Sequence, residues 1–127
     1  MLMKMSSLNL FNVSLIILSI ICSSTAQIML KIGTNRIGNQ ISNIVDFFLK
    51  AASTPQIIAG VSLHVGALLF WLLALRRVDV SYAYPFISLG FVFVMFMSAI
   101  WLRETVSLDR IIGVILILMG IIYVARS

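Results

Sequence analysis

The sequence predicts an all-α integral membrane protein: four transmembrane helices forming one domain over residues 1–127. Three observations carry that reading. Charged residues make up 10% of the chain and hydrophobic ones 61%, whereas a soluble domain has roughly 25% charged residues. The apolar residues gather into runs long enough to cross a bilayer, which takes about 20 of them. The nine Lys and Arg stand at the ends of those runs, as loops flanking membrane helices have them. The net charge of +5 is therefore not read as a nucleic-acid footprint, which would need a clustered basic patch, and no nucleic-acid partner is expected.

The first span is predicted over about residues 10–30, ended by Lys31 and Gly33. Met1–Ser24 has the outline of a signal peptide, with Lys4, an apolar core and the small residues Ser23, Ser24, Thr25 and Ala26. The apolar run continues through Ile28, Met29 and Leu30, so the segment is read as a retained membrane helix. Ser24, Gln27 and Lys31 share one helix face, with Ser23 beside them. Serines in a membrane helix can simply bond back to the preceding turn. A side-chain amide such as that of Gln27 needs a partner on another helix or on a ligand.

A short amphipathic helix is predicted near residues 40–49, in the membrane interface. Pro55 marks the start of the second span, about residues 57–75. This span carries His64, the only histidine, and a titratable group inside a bilayer is a functional candidate. Gly60, His64, Ala67 and Trp71 share a face, which suits close packing as well as ligand contact. Arg76 and Arg77 end the span, and Val78-Asp79 is so short a link that the second and third helices are expected as antiparallel neighbours.

The third span, about residues 80–102, keeps Tyr82, Tyr84, Pro85 and Ser88 in an otherwise apolar run closed by Arg103 and Glu104. Pro85 has no N–H, so the Ser81 carbonyl loses its helical bond and the helix is expected to loosen there. The fourth span, about residues 108–125, is capped by Ser107 and has no polar side chain between Gly113 and Gly120. Glycines seven apart let another helix approach, which points to a dimer interface.

Four spans leave no room for a motor domain, and no GxxxxGK[ST] motif is present. Apart from Asp109 in the first turn of the fourth, the spans hold one His, no Asp and no Glu, so no acid–base pair is built within the membrane and no enzyme activity is expected. Neither a cofactor nor a metal is expected. The physical reading is a passive or gradient-coupled carrier that assembles as a dimer.

Three stretches resemble a known group: Ala26-Gln27 followed by Lys31, then WLLALRRVDVSYAYPFISLGFVFV from Trp71, then WLRETVSLDRIIGVILILMG from Trp101. The chain resembles the drug/metabolite transporter superfamily, in its small multidrug resistance-like and EamA-like branch. It is most similar there to undecaprenyl-phosphate-aminoarabinose flippase subunits. Drug exporters of this group carry a glutamate in the first helix, at the position held here by Ser23. Exchange of a lipophilic cation for protons needs such an anion. The resemblance therefore implies a bacterial inner-membrane flippase for a lipid-linked sugar, with membrane lipid around it and a second four-helix subunit, identical or similar, as partner. It implies that Lys31, with Arg103 or Arg76, meets a phosphate, and that Ser24, Gln27, Tyr84 and Ser88 line the sugar's route. Two alternatives stay open: a multidrug or polyamine exporter coupled through His64, and a non-transporting subunit of a glycan-modification complex.

Charge does not orient the chain. The side bearing the termini has four basic residues (Lys4, Arg76, Arg77, Arg126), and the other has five (Lys31, Arg36, Lys50, Arg103, Arg110).

Overall fold

In a computed structural model the chain is described from residue 10 to residue 126, so Lys4 lies outside the described residues. Helix α1 (Leu10–Ile37) leads to the short helix α2 (Ile44–Ser53) and then to α3 (Pro55–Leu75). The next stretch is broken into one turn of helix, α4 (Val80–Ala83), a 3-10 segment (Tyr84–Ser88), and α5 (Leu89–Trp101). Helix α6 (Leu108–Arg126) closes the chain. Among the described residues, three stretches are long and apolar enough to cross a membrane: Leu10–Ile37, Pro55–Leu75 and Val80–Trp101.

The first helix runs past its predicted end. Gly33 does not stop it; the chain turns at Gly38, whose φ of 68° suits a residue without Cβ. At 28 residues α1 is about 42 Å long, more than the roughly 30 Å of bilayer hydrocarbon. Lys31 and Arg36 ride on its overhanging end. The second helix begins at Ile44, later than the pattern suggested. Asn43 caps it by accepting from the Asp46 N–H at 2.8 Å, so Ser42 and Asn43 form its start and not its polar face. The Ser42 N–H and the nearby Lys50 ammonium hold the Asp46 carboxyl below its ordinary range. Pro55 sits in the first turn of α3, where its missing N–H costs nothing.

The main seam of the fold joins α1 to α3, and it is built from small residues. Ser19, Ala26 and Gly33 recur every seven residues on α1, as Gly60, Ala67 and Ala74 do on α3, and all six are buried. Lipid tails are as apolar as leucine, so membrane helices gain little from burying leucine and much from close approach. The approach here is close. A Cβ on Gly60 would stand 3.2 Å from the Ala26 carbonyl oxygen. The Ser19 hydroxyl donates across the seam to the Ala67 carbonyl at 2.9 Å.

Helix α1 also packs on α5, whereas α3 and α5 barely touch. The short Val78-Asp79 link therefore does not make them packed neighbours. At the turn end Leu15, Ile16 and Ile20 of α1, Ala74 of α3, Val78 of the link and Ala83 of α4 form one apolar cluster, with Leu89 of α5 packed against it. Beyond it α3 and α5 splay to either side of α1. The 3-10 segment at Pro85 allows this splay, because it replaces a full helical turn with a tighter, less regular one. Helix α6 lies against the 3-10 segment and α5 and buries only Ile121 among its described side chains.

Candidate substrate site

The gap between α3 and α5 is a half-open cavity of about 610 Å³, floored by α1. Three helices supply its polar groups: Ser19, Ser23, Ser24 and Gln27 from α1, His64 and the Trp71 indole from α3, and the backbone around Gly90 from α5. Phe91, Val94, Ile87, Val65 and Leu68 provide apolar walls. No Asp, Glu, Lys or Arg lines it.

Local structure decides how much each hydroxyl can offer. Ser23 donates to the Ile20 carbonyl at 3.1 Å, back along its own helix, and keeps its lone pairs for an incoming donor. Ser19 is committed to Ala67. Ser24 is 2% exposed and makes no hydrogen bond through its hydroxyl among the described residues. Its Oγ stands 3.2 Å from where a Cβ on Gly90 would be, so glycine is what lets α5 come down onto the serine. Gln27 and His64 line the cavity and are exposed, with no side-chain hydrogen bond among the described residues.

Of the residues singled out from the sequence, Ser23, Ser24, Gln27 and His64 thus come together at one site. The third span behaves differently. Tyr82 is half-buried and packs on Phe86, with ring centroids 5.5 Å apart. Tyr84 is 63% exposed and points away from the cavity wall, as does the half-buried Ser88. Pro85 shapes the backbone and lines neither cavity. Ser19, Trp71, Gly90 and Val94 take their places in the cavity. Ser19 sits one turn before Ser23 on the same face, a signal present in the sequence. Gly90 stands out there only as the lone glycine of its span.

Lys31 is exposed one turn beyond Gln27 on α1. Arg103 is exposed and holds a left-handed φ of 53° in the turn that ends α5. There the Leu102 and Glu104 N–H groups both donate to the Ser98 carbonyl at 3.1 Å. Glu104 lines a second groove of about 400 Å³, between α5 and α6. Gly113 is on its wall, while Gly120 is exposed and outside it. A Cβ on either glycine would meet nothing within 4 Å.

The EamA-like transporter family matches residues 1–126. A protein of Proteus mirabilis (strain HI4320), described as the probable 4-amino-4-deoxy-L-arabinose-phosphoundecaprenol flippase subunit ArnF, is 29% identical over 118 residues. The match covers 87% of this chain and 89% of that one. The protein of the same description from Photorhabdus laumondii is 32% identical over 117 residues, 87% of this chain and 93% of that one. The corresponding probable subunit ArnE of Erwinia tasmaniensis is 52% identical over 56 residues, covering 43% of this chain and 51% of its own. No solved structure matches. A multi-pass membrane protein whose whole described length falls within that match, the chain belongs to the EamA-like transporter family.

Proposed function

We propose that the chain is one subunit of an inner-membrane flippase that carries the head group of a lipid-linked sugar across the bilayer. The observation that carries this reading is the lining of the central cavity. Hydroxyls, an amide, an imidazole and an indole suit a polyhydroxylated ring, which needs many hydrogen bonds and an aromatic face. The lack of a lining carboxylate removes what a bare lipophilic cation would require. A non-catalytic carrier fits this lining. The half-open side lets a prenyl chain remain in lipid while the sugar enters. Lys31, one turn from Gln27 at the overhanging end of α1, would meet the phosphate near the interface.

On this reading the whole chain is one four-helix unit. Helix α6 crosses as the fourth span. Helix α2 lies along the interface on its exposed Ile44, Val45, Phe48 and Leu49, with Asp46 and Lys50 turned to water. The partner is a similar four-helix subunit, as the two kinds of relative, each described as a subunit, suggest. It would seat on α6 at the exposed Gly120, where a Cβ would meet nothing within 4 Å among the described residues.

Sealed vesicles holding the chain and its co-purified partner, loaded with undecaprenyl-phosphate aminoarabinose, test the proposal. Movement faster than in protein-free vesicles is expected. Gln27→Leu is expected to slow it about 5- to 150-fold, because an unpaired sugar hydroxyl costs about 1–3 kcal/mol. Movement at the protein-free rate refutes the flippase. Proton-dependent efflux of lipophilic cations lost in His64→Ala would establish the exporter in its place.

A further inference from the structure

The groove between α5 and α6 has a shape and a chemistry that the central cavity does not account for. It begins mid-span at Phe91 and Val94, passes Met95 and Gly113, and ends at Glu104 and Arg110 beside the loop that joins the two helices. The apolar part lies at membrane depth and the charges lie at its edge. Glu104 and Arg110 have opposite signs and share one mouth, yet they form no ion pair with each other among the described residues. Both are held in place through the backbone: the Glu104 N–H donates to the Ser98 carbonyl, and the Arg110 N–H donates to the Ser107 hydroxyl at 3.2 Å. Two unlike charges that line one mouth and make no ion pair among the described residues suit a head group that itself carries one anion and one cation.

Phe91 and Val94 also line the central cavity. The groove and the cavity are therefore adjoining compartments with a wall of two side chains between them. Phe91 is 59% exposed and not locked into the core.

We infer that this groove is a loading subsite for the transported lipid, which rests on the flippase reading above. The substrate's phosphate meets Arg110, its amine meets Glu104, and the first isoprene units lie along Met95 and Gly113. The head group then passes the Phe91–Val94 wall into the central cavity. That cavity offers no countercharge, so the amine is recognised at the mouth and not in the middle of the membrane. Selection for an aminated sugar thus belongs to Glu104. The hydroxyl pattern is read later, at Ser24, Gln27 and His64.

The test measures binding and transport on the assembled complex in lipid nanodiscs and vesicles. The probes are undecaprenyl-phosphate aminoarabinose, undecaprenyl phosphate without sugar or amine, and phosphatidylethanolamine as competitor. Glu104→Gln is expected to weaken binding of the aminated lipid about tenfold and to leave undecaprenyl phosphate unchanged. Arg110→Gln is expected to weaken both. Gly113→Leu has open space for its side chain, so it should fill the groove and stop loading without disturbing the fold or the assembly. Transport that persists unchanged in all three variants overturns the subsite and leaves the flippase standing. Binding that depends on Glu104 and Arg110 without any transport keeps the subsite and fails the flippase. Competition by phosphatidylethanolamine equal to the aminated sugar lipid would make the groove a bulk-lipid site and overturn the inference. Dissociation of the complex by Gly113→Leu would make the groove a partner's seat, and would overturn it too.

Discussion

Replacing Gly33 by alanine tests whether small residues hold the α1–α3 seam. A Cβ there would overlap Ile57 Cγ1 and stand 3.2 Å from the Ile57 backbone nitrogen. Ile57 is β-branched and cannot swing its Cγ1 aside freely, so the backbones must part. Overpacking of this kind costs about 1–3 kcal/mol. Against it stands the helical gain of alanine over glycine, about 0.5–1 kcal/mol. Gly113→Ala receives the same gain with no neighbour to overlap. The difference between the two variants isolates the clash, and it should favour Gly113→Ala by roughly 1–3 kcal/mol, or about 5- to 150-fold in the folding equilibrium. Reversible unfolding of the monomer in mixed micelles reads this directly. Ile57→Ala added to Gly33→Ala should recover part of the loss, because it removes the atom that is struck. If Gly33→Ala and Gly113→Ala agree within roughly 0.5 kcal/mol, the seam is not held by close approach and the reasoning fails.

Three further outcomes are expected. Tyr84→Ala should leave vesicle transport near the unmodified rate, since Tyr84 lines neither cavity; a tenfold loss would give it a role that the single chain does not show. Ser19→Ala should destabilise the chain by about 0.6 kcal/mol in micelle unfolding, the usual worth of one interhelical hydrogen bond in a membrane, since the Ala67 carbonyl keeps its place in the α3 helix. Asp46 is held below the ordinary carboxylate value, first by the Ser42 N–H and then by Lys50, so its contribution to the start of α2 is complete above that ordinary value. It is lost only as pH falls through the lower, folded one. Amide exchange at Ser42 should therefore stay protected on acidification until below the ordinary carboxylate range. In Asp46→Asn it should be faster at neutral pH, and equal rates would show that the carboxylate does not hold the turn.

The long helices were readable because a bilayer demands long apolar runs, and the breaks at Pro55 and Pro85 follow from backbone chemistry alone, whereas the first helix runs past Gly33 to turn at Gly38. The polar face of Ser23, Ser24 and Gln27 was readable as well, since α1 is regular through that stretch. Two things were not. Helical spacing counts 3.6 residues per turn, and the 3-10 segment departs from it, so spacing does not give the side that Tyr84 and Ser88 take; neither lines the cavity. The neighbour relations were the second. Loop length says that α3 and α5 are sequential and antiparallel, but only the sevenfold recurrence of Ser19, Ala26 and Gly33 opposite Gly60, Ala67 and Ala74 says that α1 wedges between them. Gly113 and Gly120 have the same spacing, but among the described residues nothing stands within 4 Å of a Cβ on either.

Arg103 adds a last consequence. A left-handed φ of 53° is one that glycine adopts freely and a side-chain-bearing residue adopts at a cost of about 1 kcal/mol. The chain accepts that cost at the membrane edge, beside the Ser98 carbonyl that gathers two N–H donors, and so keeps a guanidinium where a bare turn would be cheaper. Arg103→Gly should therefore raise the unfolding midpoint of the protein, and an unchanged midpoint would show that the turn carries no such cost.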